Sequence, residues 1–233
     1  MTTVSKQARI AGLLYLVASL VGLVRLMIIP KALIVSGNAS ATAANIASHE
    51  TLFRWGMVSN LIAATLWALV PLALYRLLKD VDQGLAVLMV ILGSVMQVPL
   101  FFVNTATDAA TLLFAKGGDS VAAFDKPQRD ALALVFLDVH HSLDLANAVF
   151  WGIWLVPYGL LVYRSRFLPR VFGVWLIAAC FGWLAFSVTG FVFPSYEDTV
   201  YNLSQPLILG EMVFVFWLII MGARDRGSAS VTS

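Results

Sequence analysis

His140 and Asp144 stand four residues apart, and His141 and Asp144 three apart. On a helix either spacing puts the two side chains on one face. An aspartate beside a histidine suits the imidazole to hold or pass a proton, which a relay or a general base requires. Glu211, Asp108 or His49 from other segments would complete a zinc-like shell around them. The chain has only three histidines, and no HExxH or HxxxH pair occurs among them. His140, His141 and Asp144 are therefore the candidate catalytic residues. The same three with Glu211 are the candidate metal ligands, and a polar packing role competes with both readings. No G-x-S-x-G elbow, phosphate-binding loop or G-x-G-x-x-G is present. No cofactor is predicted. Cys180 is the single cysteine, so neither an internal disulfide nor a CxxC pair can form.

These residues sit in an unusual solvent. Hydrophobic residues make up 60% of the chain and charged ones 12%. A soluble domain averages about 45–50% and about 25%. Mean hydropathy is +0.87. Together these figures exclude a soluble enzyme, a disordered tail and a nucleic-acid binder, and they indicate an all-α polytopic membrane protein.

The apolar runs predict six transmembrane helices in one bundle, at about residues 10–29, 55–78, 85–103, 145–162, 171–193 and 203–221. The fourth is expected to carry a helical extension starting near residue 128, after Pro127. Residues 223–233 are expected to form a flexible tail. Long outer loops are expected at about 31–54 and 104–130. With the N-terminus inside, nine of the 15 Lys and Arg residues fall on the cytoplasmic side and five outside, with Arg25 in the membrane. That bias predicts both termini in the cytoplasm of a cell whose inner membrane holds the protein. The segment Asn60…Trp67…Pro71 is echoed by Asn147…Trp154…Pro157, which raises the option of a duplicated hairpin.

Two stretches carry a family resemblance. Arg9-Ile10-Ala11-Gly12-Leu13-Leu14-Tyr15-Leu16 opens the first span. Tyr163-Arg164-Ser165-Arg166-Phe167-Leu168-Pro169-Arg170-Val171-Phe172-Gly173 joins the fourth to the fifth. Together they resemble a bacterial integral-membrane family known as domain of unknown function 4386. The resemblance implies a six-helix membrane protein and supplies no reaction, ligand or catalytic residue.

Charges inside a bilayer are costly and need a reason to persist there. Placed by depth, Arg25, Asn60, Asn104, Asp108, His140, Asp144, Asn147 and Glu211 fall in one slab beneath the outer surface. They are the predicted lining of an outward-facing polar pocket, closed below by apolar packing. Arg25 and Glu211 are expected to form a buried ion pair, with Asp144 as the competing partner for Arg25. One stripe along the fourth span runs His140, Asp144, Asn147, Trp151, Trp154, Tyr158. A face of the third runs Gln97, Phe101, Asn104, Asp108, and the two faces can close on each other. The pocket implies a protein that binds or translocates a small polar or amphipathic molecule. A membrane enzyme acting near the outer leaflet and an accessory or structural subunit are the alternatives. Membrane lipids are expected partners, nucleic acid is not, and oligomeric state is left open.

Overall fold

A computed structural model describes residues 3–223. It contains helices and turns, and no strand among the described residues. Six helices are long and apolar enough to cross a membrane: α1 (Thr3–Leu33), α3 (Glu50–Leu78), α4 (Gln83–Lys116), α5 (Lys126–Arg164), α6 (Arg170–Val192) and α7 (Pro194–Ile220). A short helix, α2 (Ala39–Ser48), lies between the first two. Helices satisfy their own backbone groups, which is why such an apolar chain adopts them in lipid. The flexible tail expected over 223–233 lies, past its first residue, outside the described residues, and so do Arg224 and Arg226.

The six spans are the expected six, but several ends move. The segment 31–54 is not a plain loop. Asn38 caps α2 by accepting the Ala41 N–H at 2.9 Å. The expected loop 104–130 shrinks to 117–125, because α4 runs on to Lys116 and α5 starts at Lys126. Nothing between Asn104 and Lys116 breaks a helix, and Gly117, at φ +75°, ends it. The extension expected before the fourth span is continuous with it, giving a helix of 39 residues. Its one irregularity is at Trp154, where Pro157 has no N–H to give the Ile153 carbonyl.

Two spans contain a widened turn. In α1 it covers Val24–Ile28, and Ile29 N–H reaches back to the Val24 carbonyl. In α4 it covers Ile91–Val95, closed by Met96 N–H on the Ile91 carbonyl at 3.0 Å. Such five-residue turns are rare and gather at functional sites. The first also lets Pro30 stand in the first turn of the segment that follows, Ile29–Leu33.

The chain divides into two compact units. The first comprises 1–18, 66–98 and 145–233; the second comprises 19–65 and 99–144. The first unit holds an apolar core built on Tyr15, Leu74, Leu77, Trp154, Tyr158, Leu161, Leu176, Phe214 and Leu218. Trp67 and Trp154, the two tryptophans of the sequence echo, meet edge to face there at 5.8 Å and 90°. Tyr15 packs edge-on against Trp67 at 5.0 Å. Trp175 ties α6 to α7 by donating its indole N–H to the Pro206 carbonyl at 3.1 Å. At the 165–169 turn, Ser165 Oγ accepts the Leu168 N–H, and Arg166 takes φ 59°. Arg164 pairs with Asp82 at 3.1 Å. The second unit has a smaller core of Ile29, Leu33, Ile46, Phe53, Leu112 and Leu137. It also contains most of the polar residues singled out from the sequence.

Candidate functional site

Arg25 lies in the widened turn of α1 and is 4% exposed. Its Nε donates to Asp108 Oδ2 at 2.7 Å, and its Nη2 donates to Asp108 Oδ1. This two-point geometry is the strong form of an arginine–carboxylate pair. The guanidinium also stands 5.9 Å from the Phe53 ring centroid, within cation–π range. The close approach of α1 to α3 depends on Gly56. A Cβ there would stand 2.7 Å from Ile29 Cγ1 and 3.5 Å from Arg25 Cδ.

Asp108 is fully buried, and it serves a second partner. His140 Nδ1 lies 3.0 Å from its Oδ1. The other ring nitrogen of His140, Nε2, lies 3.4 Å from Asp144 Oδ2, one helical turn along α5. Asp144 in turn accepts the Asn104 Nδ2–H at 2.6 Å. The result is a continuous line of Arg25, Asp108, His140, Asp144 and Asn104 across α1, α4 and α5. Thr107 shares the imidazole's surroundings, with its Oγ1 at 3.4 Å from Nδ1, and donates to the Asn104 carbonyl at 2.7 Å. Asn60 of α3 joins α3 to α4 through the Phe101 carbonyl at 2.9 Å and the Thr105 hydroxyl at 3.1 Å.

Six of the eight residues expected to share a site thus belong to one unit, and five of them form one chain of contacts. Asn147 and Glu211 belong to the other unit. Asn147 is buried, and its Oδ1 has no hydrogen-bond partner. Glu211 is half-buried and accepts a long hydrogen bond, 3.5 Å, from the Trp183 indole. The expected Arg25–Glu211 pair is replaced by Arg25–Asp108, and the rival Asp144 holds Asn104 and His140 instead. The reason is the length of α4. A third span ending near residue 103 puts Asp108 at the outer exit of the helix, whereas the helix runs on to Lys116 and buries it.

His141 is exposed. His49 stands at the start of α3, where its Nδ1 meets the Asn45 carbonyl at 3.0 Å. Among the described residues no group of three or more His, Cys, Asp and Glu side chains is arranged to hold a metal ion. Both nitrogens of His140 face carboxylates, and Asp108 faces Arg25, so the ligand set proposed from spacing is already engaged. Sequence reasoning missed Phe53, Gly56 and Thr107. An Asn104-x-x-Thr107 spacing on an already polar face was the available signal for the last.

The second unit also contains a cleft of about 250 Å³, lined by Arg54, Met57, Ala109, Leu112, Leu113, Lys116 and Gly117. None of the residues expected to line a pocket is among them.

Comparison with known proteins bears on the family and not on the chemistry. A relative from Archaeoglobus fulgidus, described as an uncharacterized protein, is 28% identical over 155 residues, covering 66% of this chain and 76% of the relative. No solved structure matches. The family described as Domain of unknown function (DUF4386) matches residues 10–222. With nearly the whole chain matched, and six spans in the fold, this protein belongs to the DUF4386 family of multi-pass membrane proteins.

Proposed function

We propose that this protein binds or translocates a small polar or amphipathic molecule in the membrane, and that the Arg25–Asp108–His140–Asp144 cluster is its proton-linked centre. The observation that supports this is the charge balance of the cluster. Two carboxylates and one guanidinium leave it one negative charge in excess when His140 is neutral. One more proton on the imidazole makes it neutral. A net charge buried at membrane depth is costly, and a balanced set costs less. Gain or loss of that single proton is felt by three spans at once, since His140 touches the acid that holds Arg25 and the acid that holds Asn104. The charged groups facing His140 are Asp108 from α4, Asp144 from α5 and, through Asp108, Arg25 from α1. Asn60, on α3, is neutral. A bacterial inner membrane with both termini cytoplasmic is the setting that the Lys and Arg distribution favours.

Proteoliposomes loaded with a pH-sensitive dye test the reading. A panel of small polar and amphipathic solutes is added outside, and internal pH is followed for wild type and His140→Gln. The expected result is solute-dependent proton movement in wild type that is lost in the variant. Solute uptake without proton movement, or equal proton movement in both proteins, would refute the proton link.

One observation favours a second reading, an accessory or structural protein. Both guanidinium contacts of Arg25 end on Asp108, so the strongest pair in the cluster is internally complete. In that reading His140→Gln lowers stability and alters no flux.

A further inference from the structure

The cleft lined by Arg54, Lys116 and an apolar floor is not explained by the buried cluster. Its walls come from the beginning of α3 and the end of α4. Helix α3 has 29 residues, about 43 Å at ~1.5 Å per residue. That is the thickness of a bilayer with its headgroup regions, about 40–45 Å. Arg54, four residues from the start of α3, therefore stands at headgroup level. Trp55 beside it is 64% exposed, as expected of a tryptophan at a membrane–water boundary.

The cleft is amphipathic. Met57, Ala109, Leu112 and Leu113 line its apolar part, while Arg54 and Lys116 bring two cations to it. Both cations hold one carboxylate: Glu50 Oε1 takes Arg54 Nε, and Glu50 Oε2 takes Lys116 Nζ, each at 2.7 Å. The three side chains are each 29–57% exposed, so these are wet, exchangeable pairs. Gly117 brings a third cation close. A Cβ there would stand 3.2 Å from Arg129 Nε, and φ of +75° already disfavours any other residue. Arg129 over the end of α4 also offsets the negative end of that helix dipole. One acid against three cations leaves an excess positive charge above an apolar floor.

We propose that this cleft holds the headgroup of an anionic phospholipid. Arg54 and Lys116 clasp the phosphate, the first methylenes of the acyl chains lie on Met57, Leu112 and Leu113, and Glu50 is the internal competitor that the phosphate displaces. A membrane lipid is the occupant because the cleft combines excess positive charge at headgroup level with an apolar floor. A soluble anion would leave that floor unused. The site does not depend on the proton-linked reading of His140.

The test uses the full chain in detergent, titrated with phosphatidylglycerol, phosphatidylcholine or glycerol 3-phosphate and read by native mass spectrometry. Melting temperature is measured in parallel to confirm folding of each variant. Phosphatidylglycerol is expected to be retained over phosphatidylcholine. The double variant Arg54→Gln/Lys116→Gln should lose roughly 30-fold of that preference. Glu50→Gln should bind phosphatidylglycerol roughly five-fold more tightly, a gain that misfolding cannot produce. His140→Gln should leave the lipid preference unchanged, which separates this site from the buried cluster. Equal retention of both lipids, weaker lipid binding by Glu50→Gln, or glycerol 3-phosphate bound as tightly as the lipid would overturn the proposal.

Discussion

Arg25 and Asp108, 83 residues apart in the chain, meet through two guanidinium nitrogens and two carboxylate oxygens. Neither side chain is more than 5% exposed. Removing one partner of such a pair strands the other charge in a poor solvent. Asp108→Asn or Arg25→Gln should therefore lower unfolding free energy by about 3–5 kcal/mol. The apolar double variant Arg25→Met/Asp108→Leu should recover most of that loss. A double-mutant cycle in detergent, followed by thermal or denaturant unfolding, checks it. Additive losses would show that the pair does not act as a unit.

The approach of α1 to α3 predicts a steric effect that owes nothing to charge. Gly56 is where Ile29 and the Arg25 stem lie closest to α3. Gly56→Ala should cost about 1–3 kcal/mol by forcing Ile29 aside. Gly56→Val should cost more. If Gly56→Ala melts with wild type, Ile29 has a rotamer that clears the site, and the tight crossing is not a constraint.

The six spans were legible in the sequence because hydrophobicity alone defines them, and their number needed no contact information. The ends were less legible. Polar residues at 104–108 resemble an exit from the membrane when read singly. They continue a helix because Ala109, Leu112, Leu113 and Phe114 resume the apolar pattern up to Gly117. That one boundary decided which acid Arg25 meets. The face of α4 that carries Asn104 and Asp108, and the turn of α5 that carries His140 and Asp144, were both readable from helical spacing. What spacing does not convey is rotation between helices, so the assignment of Arg25 to Glu211 or Asp144 had no basis to prefer Asp108. The widened turn holding Arg25 left no mark in residue types. The cleft between Arg54 and Lys116 was also hidden, because both residues look like ordinary charges at span ends.

His140 bridges Asp108 and Asp144, so its two neighbours should be coupled through it. Asp144→Asn and Asp108→Asn should show an interaction energy of about 0.5–3 kcal/mol in wild type. With Gln at position 140 the interaction should fall toward zero, because the bridge is gone. Unfolding measurements on the eight combinations of these three sites decide it. Coupling that persists in His140→Gln would mean the two acids communicate by another route.

Glu211 offers the contrasting case of a carboxylate without a cation. It stands within α7, and its hydrogen bond from the Trp183 indole is long, at 3.5 Å. Among the described residues it forms no ion pair. An ionised carboxylate at membrane depth with no cation beside it is costly, so the group is favoured only while it holds its proton. Glu211→Gln keeps an acceptor for the indole and cannot ionise. It should therefore be neutral or stabilising, in contrast to the loss expected for Asp108→Asn. Glu211→Leu removes the acceptor as well and separates the two contributions. The check is the melting temperature of the three proteins in one detergent. A loss of several degrees in Glu211→Gln would mean that the negative charge itself is needed, and Glu211 would then be a binding residue in its own right.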